Sequence, residues 1–204
     1  MGCGLNVGVR HKEKKNMKTR ESGMPEENMW EKFFDVETIL NELEVNTEIE
    51  KLVDFGFGYG TFTIPASRKI SGNVYAFDIE DTLTKELESK LKINNIRNVF
   101  LFNRDFITKG TGMQNEEVDF VMLFNILHAE QSNDILKETF RILRKSGKVG
   151  VIHWNYDSST PRGPSMSIRP KPEELKNILI RTGFSIIKYK INLPPYHYGI
   201  LAQK

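Results

Sequence analysis

Apolar residues along this chain fall into two rhythms. Nearly continuous apolar blocks recur at residues 51–53, 74–77, 99–102, 118–124, 148–154, 184–193 and 196–202, and short blocks bounded by turn residues predict strands. Between them apolar residues return every three or four positions: Leu83, Leu87 and Leu91, then Leu136, Phe140 and Leu143, then Leu175, Ile178 and Leu179. That spacing puts one apolar face on a helix. The second of these helices is expected to end at Lys145-Ser146-Gly147, a basic last turn followed by a stop glycine. The third opens at Pro172-Glu173-Glu174, where Pro and acidic residues suit a first turn, and closes at Gly183. Strands alternating with helices predict a parallel sheet covered on both faces. The last two strands are joined only around Pro194-Pro195, too tightly for a crossover, so they must run antiparallel. The expected fold class is α/β: a doubly wound, mostly parallel seven-stranded sheet with an antiparallel C-terminal hairpin.

The first apolar block is the most informative. It ends in Asp54 and breaks into glycines at every second position, Gly56, Gly58 and Gly60, followed by Thr61-Phe62-Thr63-Ile64. Such a run reads as a buried strand turning tightly into a helix. Glycine allows positive φ and lets a ligand lie against the backbone. The G-x-G-x-G spacing differs from the G-x-G-x-x-G of dinucleotide-binding turns. About twenty residues on, the second block ends in Asp78, a distance at which an acidic residue can meet a bound ribose.

With its acidic residue two positions before the first glycine, this segment resembles the first motif of class I S-adenosylmethionine-dependent methyltransferases. The resemblance covers roughly residues 48–204 and implies a Rossmann-like sheet, methyltransferase activity and S-adenosylmethionine as cofactor. It implies that Asp54, Gly56, Gly58, Gly60, Asp78 and Ile79 serve the cofactor. From the third strand, Asp105 would meet the adenine amino group, with Phe106 as an apolar neighbour to the ring. The fourth strand runs into Asn125-Ile126-Leu127-His128, similar to the family's segment beneath the methionine end, which adds Asn125. Other readings stay open: a methyltransferase acting on RNA or protein, a nicotinamide-dependent reductase, or a cofactor-binding module without activity.

Composition narrows the partners. At 204 residues and 39% hydrophobic content the chain fits one globular domain. No apolar run approaches the ~20 residues that span a bilayer. The single cysteine, Cys3, excludes an internal disulfide and suggests a reducing, cytoplasmic setting. A lipid anchor at Gly2-Cys3 is disfavoured by Asn6. The net charge of +2 hides an asymmetry: residues 1–20 hold six Lys or Arg against one acid, and the rest holds 23 against 26. We therefore expect a basic, flexible tail at residues 1–22 and one methyltransferase domain at 23–204, with a helical segment at 23–47 and a catalytic core at 48–204. A mildly acidic body argues against a large nucleic-acid footprint; the expected partner is a small-molecule acceptor, with the protein a monomer or homodimer.

Candidate acceptor-side residues are sparser. His128 and His153 follow strands at the ligand side of the expected sheet, and each is a candidate base or a structural histidine; His128 is the candidate catalytic residue. No histidine pair has metal-ligand spacing. The stretch from Gly23 to Asp35 reads either as an amphipathic helix packing Trp30, Phe33 and Phe34 on the sheet or as a lid over the cofactor pocket. Residues 155–170 form a long loop with Arg162 and Arg169 as candidate anion ligands. Asn192-Leu193-Pro194-Pro195-Tyr196 reads as a turn, with Tyr196 a candidate acceptor contact.

Overall fold

Seven strands form one sheet in the order β3-β2-β1-β4-β5-β7-β6 in the computed structural model, which describes residues 24–204. The expected basic tail and Cys3 lie outside the described residues. The strands are β1 (Lys51–Phe55), β2 (Asn73–Asp78), β3 (Val99–Asn103), β4 (Val118–Phe124), β5 (Leu143–Trp154), β6 (Ser185–Leu193) and β7 (His197–Gln203). The helices are α1 (Glu27–Trp30), α2 (Val36–Glu42), α3 (Thr63–Lys69), α4 (Asp81–Ile93), α5 (Phe106–Lys109), α6 (Ser132–Ile142) and α7 (Pro172–Thr182). Strands β1 to β5 pair in parallel. β7 inserts antiparallel between β5 and β6.

Alternation along each central strand divides the core. Leu52 faces α2, α3 and α4 together with Val74, Ala76 and Met122, whereas Val53 and Phe55 face α6 and α7 with Val121 and Leu123. Both layers are fully buried at their centres, which is why the central strands read as unbroken apolar blocks. The chain winds outward from β1 in one direction and from β4 in the other, so a crevice opens between their C-terminal ends.

Two local expectations change. Helix α6 stops at Ile142, and residues 143–147 already belong to β5 rather than to a last helical turn. Val118 pairs with Leu143 and Phe120 with Lys148, so the intervening residues bulge out of the ladder, with Ser146 at φ 66°. Gly147 is therefore a strand residue, not a helix stop. The segment before β1 is not one amphipathic helix: α1 runs into a 3-10 turn (Glu31–Phe33), Phe34 bridges to Pro195, and Asp35 caps α2 by accepting from the Thr38 amide.

Candidate active site

The crevice at the β1/β4 switch point is a cavity of about 320 Å³. Its floor is the turn after β1, where Gly56 and Gly58 line the space. Gly58 has φ 53°, and a Cβ there would lie 2.9 Å from the Met24 methyl group, which sits over the turn. The Gly58 amide donates to Asp78 Oδ2 at 3.0 Å and the Glu80 amide to Asp78 Oδ1 at 3.1 Å. These bonds fix the carboxylate at the wall of the cavity, which Ile79 extends. Burial raises the Asp78 pKa and the amides oppose that rise. Further along, Asp105 accepts from the amides of Ile107 and Thr108, each at 3.2 Å, which places Phe106 in the lining, stacked on Phe55 at 4.4 Å.

Two residues expected at the cofactor lie elsewhere. Asp54 faces away from the cavity: it is buried and accepts from Thr63 Oγ1 at 2.6 Å, tying the end of β1 to the start of α3. Desolvation pushes its pKa up to about 7. Gly60, at φ 81°, leaves room for α4 rather than for a ligand, because a Cβ would stand 2.4 Å from Leu87 Cδ1.

At the other end of the cavity, Asn125 leaves β4 with φ 57° and its amide donates to the Ile152 carbonyl at 2.9 Å. A non-glycine residue in the left-handed region beside a cavity is a common mark of a functional turn. It aims the following residues inward, so Ile126, His128 and Ala129 line the space. Burial lowers the His128 pKa, opposed by the Asn125 backbone. His153 stands behind it, fully buried, with ring centroids 5.6 Å apart; its pKa is pressed well down by desolvation. It does not reach the cavity.

The roof comes from the first described residues and from the loop after β5. Met24, Pro25 and Trp30 lie over the crevice. They are held by Tyr59 Oη donating to the Pro25 carbonyl at 3.1 Å and by an ion pair between Glu27 and Lys90. Phe33 and Phe34 pack beneath, so the segment is both packed element and cover. Opposite, Arg162, Gly163 and Pro164 line the space beside Trp154. The two loop arginines have different positions. Arg169 is buried, and its guanidinium donates to the carbonyls of Asn155, Asp157, Arg162 and Pro164 and to Thr160 Oγ1. It staples the loop and has no donor left for a ligand. Arg162 is exposed at the rim. Tyr196 packs on Trp154 and Phe33 outside the lining.

Met24 and Pro25 fall in the segment that the sequence offered as a lid, whereas sequence reasoning missed Phe124 and Trp154 in the lining, and His197, which is clamped between Phe34 at 4.5 Å and Trp154 at 4.4 Å with its pKa depressed by burial to about 3. Trp154 was discoverable, since it ends β5 just as Asp78 ends β2. Among the described residues no group of three His, Cys, Asp or Glu could hold a metal ion, and no helix is long and apolar enough to cross a membrane.

Residues 52–147 match the family model described as a methyltransferase domain. A curated demethylmenaquinone methyltransferase from Lactobacillus johnsonii is 24% identical over 123 residues, 57% of this chain and 47% of that protein. The chain thus spans about half the length of the curated relative it matches. Among solved structures, an S-adenosylmethionine-dependent methyltransferase from Aquifex aeolicus superposes with TM-score 0.75 at 21% identity, covering 84% of this chain and 90% of that one. The [4+2]-cyclase SpnF superposes with TM-score 0.69 at 12% identity, covering 83% and 79%. The shared fold therefore does not by itself fix the reaction.

Proposed function

We propose that the protein is a class I S-adenosylmethionine-dependent methyltransferase that transfers the methyl group to a small-molecule acceptor carrying an anionic group, a reading supported by the match of residues 52–147 to a methyltransferase-domain model. The observation that carries this reading is the single crevice in which a glycine turn, a strand-end carboxylate and a capped Asp105-Phe106 turn meet an aromatic-roofed, arginine-rimmed compartment. The first half fits an adenosine: a backbone surface without Cβ atoms at Gly56 and Gly58, the Asp78 carboxylate for vicinal hydroxyls, and Asp105 with Phe106 for a base. Charge-assisted bonds from two hydroxyls to one carboxylate hold a sugar firmly. S-adenosylmethionine brings a methyl group already activated on a sulfonium.

What remains for the chain is positioning, exclusion of water and proton handling. Trp30 and Trp154 supply flat apolar walls, and Met24 and Pro25 close the crevice. Arg162 is oriented by the loop that Arg169 staples, and a guanidinium suits a carboxylate or phosphate because its planar donors can engage two oxygens. His128 is kept neutral at pH 7 by burial, so it is able to accept a proton from a hydroxyl or amine on the acceptor. The relative's printed substrate class, a demethylated quinone, is consistent with an apolar, ring-shaped acceptor. The test is calorimetry with S-adenosylmethionine and S-adenosylhomocysteine, then a screen of aromatic and acidic metabolites with methyl-labelled cofactor. Cofactor binding with label transfer to an acidic small molecule supports the reading. Label entering only RNA or protein would replace the acceptor class, and absence of cofactor binding would overturn the whole assignment.

A further inference from the structure

The two edges of the sheet are built differently. At one edge β6 carries Lys188 and Lys190, shifts register twice against β7, and holds Lys190 at φ 52°. Lysines and bulges are the usual protection of an edge strand against pairing with another chain. At the other edge β3 reads Val-Phe-Leu-Phe-Asn, with no charge, no proline and an unbroken register with β2. Its outward face is aromatic: Phe100 is 45% exposed and Phe102 38%, stacked on Tyr75 at 5.5 Å and on Phe77 at 4.8 Å.

The backbone of β3 also has a definite parity. The Asn98 carbonyl accepts from the Val74 amide, and the Arg104 amide donates to the Asp78 carbonyl. By the period of two, Phe100 and Phe102 turn their main-chain groups to β2, and Val99, Leu101 and Asn103 turn theirs outward. An antiparallel copy of the same strand about a two-fold axis at Leu101 pairs Leu101 with Leu101 and Val99 with Asn103. Each of these is a hydrogen-bonded pair, so the whole outward row is used. The closer, non-hydrogen-bonded position sets Phe100 against Phe102 on the aromatic face, where such pairs are favourable. Continued past the strand, the register sets Arg104 against Asn98 and Arg97 against Asp105, so no like charges meet. The same operation on β6 would bring lysines together.

We propose that β3 is a homodimer interface, in which two copies of this chain pair edge to edge and join their sheets into one. This inference does not depend on the acceptor or on the reaction. It is tested on the full chain by analytical ultracentrifugation from about 1 to 100 µM, with Phe100→Lys/Phe102→Lys as the disrupting variant. Both side chains are exposed, so the variant keeps its fold, checked by melting temperature and S-adenosylhomocysteine binding. The expected result is a wild-type dimer and at least tenfold weaker association in the variant. A second variant, Cys3→Ser/Leu101→Cys, places thiols on the axis, where α-carbons of a hydrogen-bonded pair lie about 5.5 Å apart and can be bridged. It should form a disulfide-linked dimer under mild oxidation, and Cys3→Ser/Ile187→Cys on β6 should not. A wild-type monomer at the highest concentration, a dimer untouched by the lysines, or equal cross-linking at Ile187 would each overturn the proposal. So would a monomer whose β3 amides are protected from hydrogen exchange, which would assign the edge to another part of the chain.

Discussion

Asp54 and Asp78 show how one residue type at neighbouring strand ends takes opposite work. Asp54 is sealed against Thr63 with its pKa pushed up to about 7 by desolvation, so the folded state holds its proton where the unfolded chain, with a carboxyl near 3.9, has lost it. The folded state binds more protons between those values, and stability therefore falls as pH rises from about 4 to about 7 and then levels off. Asp54→Asn keeps an acceptor for Thr63 and removes the titration. Urea midpoints for both proteins should diverge across that window in favour of the variant, by up to a few kcal/mol; parallel curves would mean that Asp54 is ionised in the fold. Asp78, by contrast, is held open to the crevice by two amides. Asp78→Ala should weaken S-adenosylhomocysteine binding by about 1.5–3 kcal/mol, and calorimetry giving wild-type affinity would remove Asp78 from the ribose role. The glycines divide likewise: Gly58 bears on the crevice and Gly60 on Leu87. Sequence could not separate them, because both need positive φ and only the position of α4 tells them apart.

At the level of elements, what the sequence made legible was the end of each strand. Apolar blocks fix where strands lie, parallel pairing brings their C-terminal ends to one rim, and of the residues there Asp78, Asp105 and Asn125 could be read as candidates without coordinates, whereas Trp154, equally a strand end, went unread. What was illegible depends on tertiary neighbours. The α6 boundary moved because β4 offered Leu143 a strand partner that outcompeted a basic last turn and a glycine stop. The loop arginines looked equivalent until Arg169 was seen to be enclosed by carbonyls of its own loop. Arg169→Lys should therefore behave as a structural lesion: a compact ammonium cannot serve carbonyls spread along the loop, and buried acceptors left unpaired cost about 1–3 kcal/mol each. A fall in Tm of roughly 4 °C or more is expected for two such losses, at about 2–4 °C per kcal/mol for a domain of this size, whereas Arg162→Ala should leave Tm unchanged and act only on the acceptor. Helix α6 is tied down by Glu138, which accepts from Thr111 and pairs with Arg141; these partners overcome desolvation and hold its pkA at about 2. The sign is opposite to that of Asp54: this contribution is full above the unfolded carboxyl value and is lost as pH falls from about 4.5 toward 2. Glu138→Gln should flatten the acid limb of the stability curve.

For the molecule as a whole, charge and architecture separate along the chain. The basic excess of residues 1–20 is set against a body with more acids than bases, and the sheet, both core layers and the crevice are assembled from residues 24–204. The first sixteen residues offer only a short apolar alternation at Leu5, Val7 and Val9, followed by a run of charged and polar residues, too little to build a layer of the core. We therefore expect a variant beginning at Met17 to keep its melting temperature and its affinity for S-adenosylhomocysteine within error. The boundary matters, because Met24 and Pro25 roof the crevice and Glu27 is paired to Lys90. A variant beginning at Glu31 removes that cover and the ion pair while leaving Phe33 and Phe34 in the core. It should stay folded but bind the cofactor more weakly, chiefly through faster dissociation, since the turn over Gly58 would be open to water. Stopped-flow dissociation of S-adenosylhomocysteine from the three proteins separates the cases. Equal rates for the full chain and the Met17 variant, with a faster rate for the Glu31 variant, place the functional start of the molecule between the two. A faster rate already at Met17 would mean that the basic residues help to close the site.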